Sequence, residues 1–158
     1  MRYVDLDVDR ARWRFTLSRR LNPRLSLGAE VNPEVGEVGP LLNWVVQQET
    51  AERPLITMGT SSDRIGTPRG YHSAYITVAR SLPELRIAPY LSVSYSGYEK
   101  GLVFPFGCNV SLARNWDLMA MNDGRRSHLL LTYKGASFSV TLMSVWLQRF
   151  GIGVSWGF

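Results

Sequence analysis

The sequence is poor in cysteine and has no long apolar run. Its one cysteine, Cys108, excludes an internal disulfide and a cysteine-rich metal site. No apolar stretch approaches the ~18 residues of a membrane-spanning helix, which leaves only strands as membrane-crossing elements. Helical periodicity is missing too. These absences favour an all-β fold.

The positive charge is spread along the chain. The formal net charge is +5, and almost all of it comes from arginine. A basic protein often binds nucleic acid, but these arginines form no single basic run and fall in turns, at strand ends and on the polar side of strands. We therefore expect no nucleic-acid partner.

Alternating residues dominate the rest of the chain. In residues 150–158, one face carries Phe, Ile, Val, Trp and Phe, and the other carries only Gly and Ser. Residues 85–95 alternate in the same way. This period of two indicates strands that separate two different media. A soluble barrel would place Lys and Glu toward water, so rows of Ser, Gly, Ala and Thr favour a small polar interior and a bulky face toward lipid.

The spacing of Gly and Pro residues along the chain indicates the number of strands. Gly or Pro recurs roughly every ten residues, which is typical of barrels and sandwiches. We predict a single domain, residues 1–158, that forms an antiparallel up-and-down transmembrane β-barrel of 10–12 strands. Pro89 and Pro105 fall inside predicted strands and predict local bulges. The two longest predicted loops, 32–40 and 61–70, fall at the same end of the barrel.

The last eight residues carry a resemblance. They have a glycine five residues before the terminus and aromatic residues at the third-last and last positions: Gly153, Trp156 and Phe158. This resembles the C-terminal assembly signal of Gram-negative outer-membrane β-barrels, although Gly151 replaces the usual polar first residue. The resemblance implies an outer-membrane location, with membrane lipid and the barrel assembly machinery as partners.

The start of the chain has no signal-peptide pattern. Met1 leads into Arg-Tyr-Val-Asp rather than into a basic segment followed by an apolar one. Two interpretations follow: this sequence is the mature or refolded form of an outer-membrane protein with an added methionine, or the chain is not a membrane protein.

Charged residues fall almost entirely on the small polar face. Arg80 is an exception, and it lies near a strand end where it can reach water. The charges assigned to the lumen form either a narrow, anion-preferring pore or a salt-bridged plug, since barrels of this size allow both. The plug is favoured. The predicted lumen residues are Arg12, Arg14, Glu30, Arg86, Asp117 and Lys134.

The candidate catalytic residues make a weak case. His72 precedes Ser73, and Ser127 precedes His128, but neighbouring strand residues point to opposite faces. Neither pair can form a nucleophile–base contact by itself. The acids Asp5, Asp7 and Asp9 are expected to face arginines across the lumen rather than to bind calcium. No catalytic, cofactor or metal site is predicted.

The sequence thus favours an integral outer-membrane barrel with a structural, anchoring or assembly role, or a small pore. Protein partners or a homo-oligomer are compatible with that role. The first alternative is a barrel enzyme that modifies lipid or lipopolysaccharide, which would need His72 or His128 to face an acid and a serine across strands. The second is a soluble ligand-binding barrel, with the aliphatic faces turned inward.

Overall fold

The chain folds almost entirely into strands. The structure, a computed structural model, describes residues 1–5 and 12–157. A 3-10 turn spans Pro83–Leu85. In those ranges the strands are β1 (Arg2–Val4), β2 (Trp13–Asn22), β3 (Leu25–Asn32), β4 (Glu37–Gln47), β5 (Leu55–Ser62), β6 (His72–Ala79), β7 (Ile87–Ser96), β8 (Gly101–Val103), β9 (Phe106–Ala113), β10 (Trp116–Asn122), β11 (Ser127–Lys134), β12 (Phe138–Val145) and β13 (Arg149–Trp156).

The strands form a closed antiparallel meander. Apart from β8 and β9, each strand pairs with its neighbours in sequence, and β1 pairs with β13 to close the sheet. Strands β8 and β9 both pair with β7 and together form one interrupted strand. The result is a closed 12-strand barrel, which confirms the predicted antiparallel up-and-down β-barrel and the upper end of the predicted strand count.

The two prolines behave differently. Pro105 lies in the break between β8 and β9. Pro89 keeps a regular register opposite Cys108, so the bulge predicted there is wrong. Its carbonyl accepts the N–H of Arg80, which lies just beyond the last residue of β6. Proline has no backbone N–H, and the hydrogen bond that is missing at Pro89 therefore lies at the end of the β6–β7 ladder. Its loss there costs little stability.

The barrel has two distinct ends. We call one the loop end, with connections 33–36, 63–71, 97–100, 123–126 and 146–148, and the other the turn end, with connections 23–24, 48–54, 80–86, 114–115 and 135–137. The predicted loop at 32–40 is shorter than expected, because β4 already begins at Glu37. In residues 1–5 and 12–157, no helix is long and apolar enough to cross a membrane.

Most bulky apolar side chains point outward. Leu91 and Phe104 are each 56% exposed, and they do not converge on a shared interior. The hydrophobic residues buried within the described ranges are few: Val4, Val103, Met143 and Val145. The buried polar and charged residues are more numerous: Glu30, Asn32, Asp63, Thr67, Ser92, Ser94, Ser96, Asp117, Asp123 and His128. The interior is thus mainly polar.

Candidate functional site: a polar lumen closed at one end

The connection between β5 and β6 folds into the mouth of the barrel. We call residues 63–71 the plug loop. Asp63 is 3% exposed and Thr67 is 1% exposed. Ile65 packs against the small apolar cluster that contains Val4 and Val145. The plug loop therefore covers the lumen at the loop end.

Glycine shapes the plug loop where it passes the β12–β13 turn. Gly66 has φ +99°, a left-handed conformation that side chains disfavour. A Cβ at this position would also lie 2.7 Å from Cζ2 of Trp146. Thr67 then turns the chain, since its hydroxyl donates to the carbonyl of Arg64 at 2.9 Å. The tight contact with Trp146 requires glycine at position 66.

Asp63 ties the base of the plug loop to β7. Its Oδ2 accepts the hydroxyl of the fully buried Ser96 at 2.6 Å and the N–H of Tyr98 at 3.2 Å. Its own N–H donates to the carbonyl of Tyr71 at 2.9 Å, which closes the two ends of the loop on each other.

Glu99 joins three connections of the loop end. Its carboxylate pairs with Arg64 of the plug loop. It also pairs with Arg125 of the β10–β11 connection, whose Nη2 lies 2.5 Å from Oε2. Hydrogen bonds from Arg125 and Arg64 outweigh desolvation and lower the pKa of Glu99 to about 2. We call these three residues the arginine clamp.

A buried His–Asp pair lies beneath the plug loop. Nε2 of His128 and Oδ2 of Asp123 are 2.9 Å apart, and both residues are buried. Oδ1 of Asp123 accepts the N–H groups of Arg126 and Arg125 at 2.8 and 3.0 Å. Burial would raise the pKa of Asp123, but the hydrogen bonds from His128 and from these backbone amides outweigh it and hold the pKa below its usual value.

The first lumen ion pair joins β2 and β3. Arg14 pairs with Glu30, which is 2% exposed. Glu30 also accepts the hydroxyl of Ser61 at 3.2 Å and the N–H of Ser62 at 3.0 Å. Strand β4 separates β3 from β5, so this contact crosses the concave inner face of the sheet. The network narrows the lumen next to the plug loop.

The second lumen ion pair lies toward the turn end. Asp117 on β10 pairs with Lys134 on β11, and Asp117 accepts the hydroxyl of Ser111 at 3.1 Å. These two charges line a cavity of about 560 Å³, together with Tyr90 and Thr141. The lumen is therefore more open toward the turn end than beneath the plug loop, where the cavity lined by Arg14 and Ile65 measures about 220 Å³.

The other predicted site residues lie at the barrel ends. Arg12 precedes β2 at the loop end. Its Nη1 lies 3.8 Å from Oδ1 of the exposed Asp5, and its backbone N–H donates to Oε2 of Glu34. Arg86 ends the 3-10 turn at the turn end in a left-handed conformation. Asp7 and Asp9 lie outside the described residues. The structure thus brings four of the six predicted charges together, as two pairs.

The residues of the resembled assembly signal lie on the last strand. Gly153 pairs with Thr141 and Arg2, and the side chain of Trp156 is outward and exposed. Phe158 lies outside the described residues.

Comparison with known proteins gives no match to this chain, whether with protein-family models, curated proteins or solved structures. Any conclusion about function therefore rests on the geometry of the barrel.

Proposed function

We propose that this chain is an integral outer-membrane β-barrel whose lumen is plugged, with an anchoring or assembly role rather than transport. One observation carries the proposal: the barrel is polar inside and bulky and apolar outside. Water-soluble monomers rarely expose contiguous apolar patches beyond ~300–600 Å². Here the outward side chains of Leu17 and Phe150 are 76% and 78% exposed, and those of Ile76 and Leu142 are 49% and 53% exposed.

Aromatic clusters at both barrel ends support the proposal. Tyr3 and Trp13 meet at the loop end with ring centroids 4.9 Å apart. Trp116, Tyr133 and Phe138 form a chain of ring contacts at the turn end. Membrane barrels carry aromatic girdles at the two lipid–water interfaces, and two such clusters fit that arrangement.

The few charges near the outer face lie close to strand ends. The register places Arg19 on the outer side of β2, three residues before its end. Arg80 lies past the end of β6, where it donates to the carbonyl of Thr50 at 3.0 Å. Both positions allow a guanidinium to reach the interface.

The plug loop and the lumen ion pairs favour an anchor over a pore. A conducting path would have to pass the plug loop, the arginine clamp and the Arg14–Glu30 pair in turn. The narrow pore therefore fits the structure less well than the plug does.

Membrane insertion can be tested with brominated lipid. Purified protein, refolded into vesicles of phosphatidylcholine brominated on the acyl chains, should lose Trp fluorescence compared with protein in unbrominated vesicles. Protein that stays monodisperse without detergent and shows no quenching would contradict the proposal. Planar-bilayer recordings then separate plug from pore: the plug predicts no steady conductance.

The His–Asp pair supports a second candidate, an enzyme that acts on lipid. His128 faces the acid Asp123, and Ser62 lines the same cavity of about 220 Å³. A base oriented by a carboxylate near a serine is the arrangement of nucleophilic hydrolases. A fluorophosphonate probe should then label Ser62, and His128→Ala should abolish the labelling. An unlabelled native protein would remove this candidate.

A further inference from the structure

The cavity that contains Asp117 and Lys134 is a separate compartment of the lumen, which we call the turn-end cavity. Its volume of about 560 Å³ lies in the range of small-molecule sites, about 300–1,000 Å³. All its lining residues belong to β6, β7, β9, β10, β11 and β12, on the side of the barrel away from the β1–β13 seam. Tyr90 marks its inner limit, because this residue also lines another cavity on the loop-end side.

The threonines in the wall of the turn-end cavity already have hydrogen-bond partners. The hydroxyls of Thr132 and Thr141 lie 2.9 Å apart, and that of Thr77 lies 2.7 Å from the hydroxyl of Ser92. Satisfied hydroxyls of this kind place little demand on a ligand. The apolar part of the wall consists of Ala79, Ala88, Met119 and Leu130. This wall therefore suits the apolar part of a ligand.

Two polar groups of the same wall differ from the threonines. Within residues 1–5 and 12–157, the side-chain amide of Asn109 and the hydroxyl of Tyr90 have no hydrogen-bond partner. The register places Ala88 opposite Asn109, and Tyr90 lies two residues further along β7 on the same face. Diagonal neighbours of this kind lie within reach of each other's long side chains. One polar atom of a ligand could therefore bond to both groups.

Cations lie at the mouth of the turn-end cavity. Lys134 lines the cavity and pairs with Asp117. The carbonyl of Arg86 accepts the N–H of Ser111, whose hydroxyl bonds to Asp117, so Arg86 lies at the same edge of the cavity. Arg86 is exposed, and it has no ion-pair partner in the part of the chain that the structure describes. Glu84 of the preceding 3-10 turn is exposed as well. Because Asp117 already bonds to Ser111 and Lys134, Arg86 is accessible to an anion.

We propose that the turn-end cavity binds a monocarboxylic acid whose apolar body carries one further polar atom. The carboxylate would pair with Arg86 and Lys134 at the mouth, because guanidinium and ammonium groups form strong charge-assisted hydrogen bonds with carboxylates. The body would lie against Met119, and its polar atom would bond to Asn109. This site depends on the lumen alone, so it does not rest on the proposed insertion into a membrane.

Methionine-methyl NMR tests the proposal on the whole folded protein in phosphocholine micelles. Met119 lines the turn-end cavity and Met143 lines the cavity beneath the plug loop, whereas Met58 pairs with the outward Ile76 and reports probe that merely enters the micelle. The probe 4-(4-hydroxyphenyl)butyrate should shift the Met119 signal saturably and leave the Met143 signal in place. The uncharged 4-(4-hydroxyphenyl)butanamide should bind at least tenfold more weakly. No shift at Met119, equal shifts at all three methyl groups, or equal affinity of acid and amide overturns the proposal.

A charge variant tests the role of Arg86. Arg86→Gln should weaken binding of the acid at least fivefold and leave that of the amide unchanged, because only the acid carries the charge that Arg86 would pair with. Arg53→Gln, in the exposed β4–β5 connection, is the matched control and should change neither affinity. An unchanged Met143 signal shows that each variant is folded. Equal losses in the two variants would assign the effect to the general positive charge and overturn the site.

A second variant tests the hydrogen bond inside the cavity. The native protein should bind 4-(4-hydroxyphenyl)butyrate about threefold more tightly than 4-phenylbutyrate, which lacks the hydroxyl. Asn109→Ala should bind the two acids almost equally. A native protein that does not distinguish them, or a preference that persists in the variant, would overturn the assignment of Asn109.

Discussion

Glu99 is the residue at which three connections of the loop end meet. Its carboxylate holds Arg64 of the plug loop and Arg125 of the β10–β11 connection. Its pKa of about 2 lies below the ordinary value, so the clamp contributes stability above the unfolded pKa of ~4.3 and loses it as pH falls toward 2. Asp123, whose pKa is also lowered, adds to the same acid-sensitive range.

Glu99→Gln should loosen the plug loop without unfolding the barrel. The amide keeps one acceptor but loses the charge that holds both guanidinium groups. Amides of residues 63–71 should exchange at least fivefold faster at pH 7. Relative to the intrinsic exchange rate at each pH, acidification from pH 5 to pH 2.5 should lower their protection in the native protein but much less in the variant. Glu52→Gln, in an exposed turn at the turn end, is the control and should change neither rate.

Gly66→Ala should cost more stability than an ordinary left-handed glycine. The left-handed φ alone costs ~1–2 kcal/mol. Gly36 has φ +65°, and a Cβ there would meet nothing within 4 Å, so Gly36→Ala measures that cost by itself. The additional loss of stability at Gly66, beyond that at Gly36, comes from the clash with Trp146. It should disappear in a Trp146→Ala background. Urea unfolding of the four variants gives the comparison, and equal costs at both glycines would reject the contact.

Under the proposed function, the plug loop is the element that should keep the lumen from conducting. Replacement of residues 64–70 by a short Gly-Ser turn should remove Ile65, Thr67 and the Arg64 contact together. Steady conductance in planar bilayers should appear, and it should rise further when Arg14→Ala and Glu30→Ala are added. The control replaces the β4–β5 connection, residues 48–54, by a Gly-Ser turn of the same length. This variant should show no steady conductance. Equal conductance in both would show that the plug loop is no barrier.

The strands could be predicted from the sequence, but the plug could not. A period of two is local information, so residues 85–95 and 150–158 identify β7 and β13 directly. The start of β4 at Glu37 could not be predicted in this way. Gly39 and Pro40 are typical loop residues, yet both pair with β3. The contacts of Glu99 with Arg64 and Arg125 join separate loops, and no spacing rule in the sequence reports such a contact. The nearest signal is the long Gly-containing segment 61–70.

At the scale of the whole molecule, the outer surface is the property that separates a membrane barrel from a soluble one. Leu142 lies in the middle of β12, and Leu147 lies in a connection at the loop end. They are 53% and 56% exposed, so a charged substitution should cost nearly the same at both positions if the surface faces water. Only a lipid layer around the strands distinguishes them.

Leu142→Arg should therefore destabilise the barrel in lipid by ~2–4 kcal/mol, the cost of an arginine at the bilayer midplane. Leu147→Arg should cost less than ~1 kcal/mol, because interface positions tolerate charge. Denaturant unfolding of both variants in phosphatidylcholine vesicles measures the difference. Similar small effects at both positions would argue for a water-exposed surface.

The pairing that closes the barrel also has a consequence for how the barrel is made. The closing seam joins residues about 150 positions apart, through Arg2, Tyr3 and Val4 on one side and Gly151, Ile152 and Gly153 on the other. Joining such distant segments carries a large loop-closure entropy, and only a few rungs repay it. Long-range pairings of this kind form slowly. Strands that are neighbours in sequence should thus pair first, and the β1–β13 seam should form last. A pulling force should separate the finished barrel along this seam before any other.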